Sequence, residues 1–284
     1  MNLKAVELKH NHNLKDLTTI KIGGQARHFF IVNTIDALRG LVTGLDNPYY
    51  VLGGGSNLLV KDSILDREVI KLGGEFDYIS KGSRYLEVGS AVKLNSLIKY
   101  ALKNSLGGLD NLAGIPATVG GLVTMNASSF NREISYFIKG VEVMDTSGNV
   151  EQIKKEDIVF SYRQSSLSKY IVLKVWFDFP KDDNLKAKIN TFIKQRINAQ
   201  DFSYPSCGCV FKNPKEYSAG FLIDSCNLKS LRQNGAQISS KHANFIINLG
   251  KASYEDVDYL INRAREEVHK KFGIILEEEI KRWA

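Results

Sequence analysis

The sequence predicts an α+β protein, on three observations. Apolar residues recur at helical spacing in separated segments, strand-like runs lie between them, and no internal repeat or low-complexity stretch breaks the pattern. At 284 residues the chain exceeds the usual size of one core, so two or three packed units are expected. Hydrophobic residues make up 43% and charged residues 24%, a globular mixture that needs no disulfide or metal staple.

The elements follow in order. Thr34 can cap a helix whose Ile35, Leu38, Leu41, Val42 and Leu45 fall three and four apart; Pro48 stops it, and Tyr49 to Leu52 reads as a buried strand. Leu94, Leu97, Ile98, Ala101 and Leu102 predict a second helix ending near Gly107-Gly108. Val141 to Met144 and Val150 to Ile153 flank a turn-rich stretch, Asp145 to Asn149, suited to a hairpin. Ile171, Leu173, Val175, Phe177 and Phe179 alternate with more polar neighbours up to Pro180. A polar stretch from Lys181 and the helical pattern carrying Arg196 towards Pro205 put the main domain boundary near residues 181 to 200. Ser253 and Asp256 form a capping box ahead of Val257, Leu260, Ile261, Ala264 and Val268; Gly273 closes this helix, and Ile274 to Ile280 reads as a final strand.

The net charge of +7 fits a solvated basic exterior, an anionic small-molecule site or a nucleic-acid surface. No block of Lys and Arg marks a polybasic tail. Three cysteines, Cys207, Cys209 and Cys226, leave one unpaired in any disulfide scheme. Met1 to Asn13 lacks an apolar signal segment, and no run is long enough to span a membrane, so a soluble, reducing, cytoplasmic setting is expected.

Three segments carry chemistry. Leu52-Gly53-Gly54-Gly55-Ser56-Asn57-Leu58-Leu59 directly follows an apolar strand, and its glycines can turn backbone N–H groups onto a phosphate. A tight turn is the plain alternative, and the run is not the GxGxxG of a Rossmann unit. Gly114-Ile115-Pro116-Ala117-Thr118-Val119-Gly120-Gly121, followed by Thr124-Met125-Asn126-Ala127, would let a flat or anionic ligand lie against the backbone, or would serve only as a structural loop. Two such loops together favour a large phosphorylated cofactor. In Ser206-Cys207-Gly208-Cys209-Val210-Phe211-Lys212-Asn213-Pro214 the cysteines lack zinc-ligand spacing, so no metal is expected. Cys207 and Cys226 read as buried, inert thiols, whereas Cys209 in its loop could transfer a proton. Arg163 and Glu279 are, by themselves, ordinary surface charges.

Taken in order, Thr18-Thr19-Ile20-Lys21-Ile22-Gly23-Gly24, the Gly53 loop, the Gly114 loop with Met125-Asn126-Ala127, Tyr162-Arg163, Cys209 to Pro214 and Leu276 to Ile280 resemble the UDP-N-acetylenolpyruvoylglucosamine reductase (MurB) family over residues 14 to 282. The resemblance implies a two-subdomain FAD-binding module of the p-cresol methylhydroxylase and vanillyl-alcohol oxidase type, residues 1 to 190 with subdomains of about 1 to 62 and 63 to 190. A smaller α+β domain, residues 191 to 284, would take a UDP-sugar. Non-covalent FAD is implied, its pyrophosphate at Gly53, Gly54, Gly55, Ser56 and Asn57, with Gly114, Ile115, Pro116, Thr118, Gly120, Gly121 and Asn126 lining the flavin.

NADPH is implied as the hydride donor for reducing the enolpyruvyl ether of UDP-N-acetylglucosamine to UDP-N-acetylmuramate, a peptidoglycan precursor. Arg163 and Glu279 would polarise the substrate carboxylate and Cys209 would protonate C2, with Lys212 and Asn213 beside the substrate. The chain departs from the family at Cys209, where serine is usual, at Glu278, where proline is usual, and at Ala117 and Ser128, where glycine is common. Its length matches the compact subtype, and a monomer with no membrane or nucleic-acid partner is expected. Two rivals stand beside this reading: another FAD oxidoreductase of the same superfamily, and a nucleotide- or RNA-binding protein suggested only by charge. His28 and His242 read as surface or structural histidines, with no motif for a covalent flavin link.

Overall fold

The computed structural model describes residues 4–284, which gather into two compact units. The first comprises the segment ending at His10, His28–Gly54 and Arg67–Ile193. The second comprises Asn11–Arg27, Gly55–Asp66 and Lys194–Ala284. Among the described residues the α-helices are α1 (Ile35–Gly44), α2 (Leu94–Lys103), α3 (Val119–Thr124), α4 (Leu185–Ala199), α5 (Ala219–Ser225) and α6 (Tyr254–Phe272). The class is the expected α+β.

Strands Gln25–Val32 and Tyr49–Val51 run parallel to Glu68–Leu72, with Val6–Asn13 beside the first of them; the first unit takes Gln25–Val32 from His28 onward and Val6–Asn13 up to His10. The Thr34 hydroxyl accepts from Ala37 N at 3.2 Å and caps α1, which buries Leu38 and Val42 against Val32, Ile70 and Phe76. Tyr49–Val51 is not the buried strand expected: it is half-buried to exposed because it forms an edge of this sheet. A second, antiparallel sheet has the order Val150–Lys154, Ile138–Met144, Ile171–Phe177, Leu86–Gly89, Ile79–Lys81. Its expected hairpin is present, the Asp145 carboxylate accepting from Ser147 N and Asn149 N, each at 2.8 Å. Helix α2 stops before the predicted glycines, because Asn104 N–H closes on the Tyr100 and Ala101 carbonyls and Ser105 turns left-handed at φ +51°.

The second unit carries the sheet order Ser206–Cys209, Phe245–Asn248, Ala236–Ile238, Arg232–Gln233. Helix α6 buries Val257, Leu260, Ile261, Ala264 and Val268 as its spacing predicts, at about 1.5–3 kcal/mol for each large side chain. Its capping box forms, and Gly273 ends it in a left-handed turn. Ile20, Ile22 and Leu59 join the same core, and Asn248 Nδ2 donates to the Ile20 carbonyl at 2.9 Å. The expected strand from Ile274 to Ile280 is instead irregular, with one bridge from Phe211 to Glu278; the regular strand is Lys281–Trp283, parallel to Leu58–Val60. Glu277, Glu278 and Glu279 interrupt the alternation between buried Leu276 and Ile280, so side chains and isolated hydrogen bonds hold this stretch.

Candidate functional site

The two glycine-rich loops meet within the first unit. A Cβ on Gly53 would lie 2.9 Å from Thr118 Oγ1, and one on Gly54 would lie 2.4 Å from the Pro116 carbonyl oxygen and 2.8 Å from Ala117 Cα. Gly54 therefore has no substitute: the second loop occupies the space that a side chain would need. Thr118 caps α3 by accepting from Gly121 N, and Gly120 N donates to the Ser90 carbonyl at 2.8 Å. Gly114 has φ +88°, Ile115 packs on the first core, and Pro116 is exposed.

In the second unit, Gly55 has φ +65°, and a Cβ there would lie 1.9 Å from the Leu17 carbonyl oxygen. Its own carbonyl accepts from Thr19 N at 3.1 Å, which draws the Thr18 to Gly24 motif onto the loop. From Gly53 to Asn57, successive backbone N–H groups donate to no acceptor among the described residues. A run of unspent amide donors on a backbone without bulky side chains is the chemistry that a pyrophosphate asks of a protein, so these residues fit the cofactor that the sequence implies.

Arg163 belongs to the first unit, at the turn between strands Phe160–Ser161 and Gln164–Ser165, with φ +59°. Its Nη1 donates to the Ser128 carbonyl at 2.6 Å and to the Ser128 hydroxyl, and its guanidinium lies 5.3 Å from the Tyr162 ring centroid. Ser128, where glycine is common in the family, thus contributes a hydroxyl acceptor. Asn126 ties down the same hairpin. Fully buried and left-handed at φ +41°, it donates through Nδ2 to the Glu133 carboxylate at 2.8 Å and the Ser161 carbonyl at 3.0 Å. Ser165 Oγ adds a bond to the Thr124 carbonyl at 2.8 Å.

Cys209, Lys212, Asn213, Asn57 and Glu279 belong to the second unit. Glu279 N donates to the carbonyl of Val210, next to Cys209, at 2.8 Å, and Lys212 N donates to the Glu277 carbonyl at 2.8 Å. Asn57 Nδ2 donates to the Glu279 carbonyl at 3.0 Å. Lys212 Nζ pairs with Glu277 at 3.1 Å, and Asn213 Oδ1 accepts from Ala219 N at the start of α5. Cys209 is partly exposed, whereas Cys207 is 1% exposed in the second core, where burial pushes its thiol up to about 12. Cys226 is half-buried rather than buried. His28 pairs through Nδ1 with buried Glu68 at 2.9 Å, and His242 packs against Phe245 with ring centroids 4.6 Å apart.

Two supporting residues were not legible in the sequence. The Asn244 side chain donates to the Phe211 carbonyl at 2.8 Å and accepts from Phe211 N at 2.9 Å, fixing the loop after Cys209. Glu133 receives both Asn126 and, at 3.1 Å, Ser135 Oγ. Neither lies in a motif, and a lone Asn or Glu gives no pairing signal. Among the described residues no helix is long and apolar enough to cross a membrane.

Comparison with known proteins bears on this geometry. Residues 200–283 match the family model described as UDP-N-acetylenolpyruvoylglucosamine reductase, C-terminal domain, and residues 29–154 match one described as FAD binding domain. The UDP-N-acetylenolpyruvoylglucosamine reductase of Thermotoga maritima is 38% identical over 272 residues, 94% of this chain and 95% of its own length. Its Clostridium novyi counterpart is 35% identical over 286 residues, 98% of this chain and 93% of its own. The crystal structure of UDP-N-acetylenolpyruvylglucosamine reductase from Thermus caldophilus aligns with TM-score 0.85 and 37% identity, covering 98% of this chain and 99% of that one.

Proposed function

The chain belongs to the UDP-N-acetylenolpyruvoylglucosamine reductase family, and we propose that Arg163, Cys209 and Glu279 are the residues with which it performs that family's reaction. It is an FAD-dependent oxidoreductase with an FAD-binding module of the p-cresol methylhydroxylase and vanillyl-alcohol oxidase type. It reduces the enolpyruvyl ether of UDP-N-acetylglucosamine to UDP-N-acetylmuramate for peptidoglycan synthesis, with NADPH as reductant. FAD, when bound, supplies the redox chemistry that carries a hydride from NADPH to C3 of the enolpyruvyl group. Gly53, Gly54, Gly55, Ser56 and Asn57 would hold its pyrophosphate, and Gly114, Ile115, Pro116, Thr118, Gly120, Gly121 and Asn126 its ring system.

The protein must answer the negative charge that builds on C2 and its carboxylate. Arg163 offers a fixed positive charge and a forked donor for that carboxylate. The Glu279 carboxyl, protonated or hydrogen-bonded to the substrate carboxylate, would share the polarisation, and the Cys209 thiol gives its proton to C2. Lys212 and Asn213 would bind the sugar nucleotide. The observation supporting this reading most is the Glu279 N to Val210 O hydrogen bond of 2.8 Å, which joins the carboxylate segment to the residue beside the thiol. We read the chain as a cytoplasmic monomer without a nucleic-acid partner, a reading in keeping with its lack of a polybasic block.

Anaerobic visible spectroscopy tests the assignment. NADPH should bleach the flavin band, and the enolpyruvyl sugar nucleotide should restore it in the wild type. Arg163→Ala, Cys209→Ala and Glu279→Gln should each bleach normally and recover slowly. Normal recovery in a variant would remove that residue from the reaction.

A further inference from the structure

Glu277, Glu278 and Glu279 are chemically alike and adjacent, yet their surroundings differ. Glu277 pairs with Lys212, and its side chain is 74% exposed. The Glu278 carboxylate is gripped by two arginines: Arg282 donates through Nε at 2.7 Å and Nη2 at 3.0 Å, and Arg265 donates through Nη2. Arg282 reaches on to Asp258 and, at 2.9 Å, to the Tyr254 hydroxyl. Arg265 also donates to the Leu276 carbonyl at 3.3 Å and lies 6.0 Å from the Phe211 ring centroid. Tyr254, Asp258 and Arg265 share one face of α6, so the helix presents a row of anchors to the returning chain. Burial by itself would lower the Arg282 pKa, but its bonds to Glu278, Asp258 and Tyr254 hold it above the ordinary value.

This cluster fastens a stretch that no regular strand fixes. On either side of Glu278 the backbone makes single bonds: Glu277 O to Lys212 N, Glu279 N to Val210 O, and Glu279 O to Asn57 Nδ2. A residue whose side chain is locked to a helix by two guanidinium groups determines the direction in which its neighbour points.

We infer that Glu278 is a positioning residue: held by Arg265 and Arg282 against α6, it sets the backbone that carries Glu279 and so directs the Glu279 carboxylate. The inference rests on the proposed role of Glu279 towards the substrate carboxylate. The Glu278 carboxylate oxygens are engaged by the two guanidinium groups, which sets Glu278 apart from Glu279 as an anchor.

The test compares Glu278→Gln, Glu279→Gln and the double variant, each loaded with FAD, in the two half-reactions. Glu278→Gln should slow recovery of the flavin band on adding the enolpyruvyl sugar nucleotide by between about tenfold and a hundredfold, the scale of small misplacements of a reacting group. Bleaching by NADPH should stay unchanged. The double variant should be no slower than Glu279→Gln, because Glu278 acts only through its neighbour. If Glu279→Gln recovers at the wild-type rate, the reading of Glu279 itself fails. If Glu279→Gln is slow while Glu278→Gln is normal, or the two defects multiply, the positioning role is overturned. A Glu278→Gln variant that loses both half-reactions together would show a structural role only, with the same consequence.

Discussion

Arg163 and Glu279 are anchored by different means. The Arg163 hairpin is tied down mainly by side chains bonding to backbone: Asn126 to Ser161, Ser165 to Thr124, and Arg163 itself to Ser128. The Glu279 segment is held by single backbone bonds and a cluster of alternating charges built on α6. Carbonyl acceptors hold whatever the salt concentration, whereas ion pairs on partly exposed side chains weaken as ions screen them. The two supports should therefore respond differently to mutation and to solvent.

The largest effect expected is on Arg163. Arg163→Ala should cut flavin reoxidation by substrate by about a hundredfold to a thousandfold, the usual cost of removing a donor to a developing charge. Stopped-flow absorbance checks this, and recovery within a factor of a few of wild type would break the assignment. Next comes the cysteine pair. Cys209→Ala should slow the same step by about a hundredfold or more, with Cys209→Ser keeping most of the rate, since either hydroxyl or thiol can give a proton. Cys207→Ala should leave the rate alone and lower the urea midpoint by an amount worth about 1 kcal/mol, as a core truncation does.

Stability changes sharpen the comparison further. Asn126→Ala takes a donor from the Glu133 carboxylate and another from the Ser161 carbonyl and forces a left-handed φ on alanine, so a loss of about 2–3 kcal/mol is expected from urea unfolding. The smallest effect concerns the charged helix itself. Ser253→Ala removes the α6 cap and should cost about 1 kcal/mol near neutral pH. Burial opposes ionisation of Asp256, but bonds from Ser253 and Asn234 outweigh it and hold its folded pKa below the ordinary carboxylate value. Its stabilisation is thus complete above the unfolded value of about 4 and fades as pH falls through the lower folded one. The gap in urea midpoint between wild type and Asp256→Asn should shrink over that acid range; a gap that holds steady would show that ionisation contributes nothing.

Much of the frame was legible in the residues. Thr34 and Ser253 announce their helices because a cap is a local interaction, complete within a turn of chain. The helical spacing on α1, α2 and α6 identified buried residues for the same reason: one face of a helix must find apolar partners, whichever they are. Local rules failed where a distant partner decided. Tyr49–Val51 is apolar in sequence but lies at a sheet edge, and Ile274 to Ile280 looks extended while its glutamates answer to α6 and to Lys212.

By itself, then, the sequence determined the α+β class, the positions of the principal helices, and the glycine-rich backbone suited to a phosphorylated cofactor. Only the tertiary structure decided that Asn11–Arg27 and Gly55–Asp66 pack with the C-terminal residues. It also decided that Gly54 is demanded by Pro116 and Ala117, and that of three successive glutamates Glu278 is the one locked between Arg265 and Arg282. The first two are pairings across a long stretch of chain, and among three like neighbours the third depends on where α6 lies; neither kind leaves a periodicity for a local reading to find.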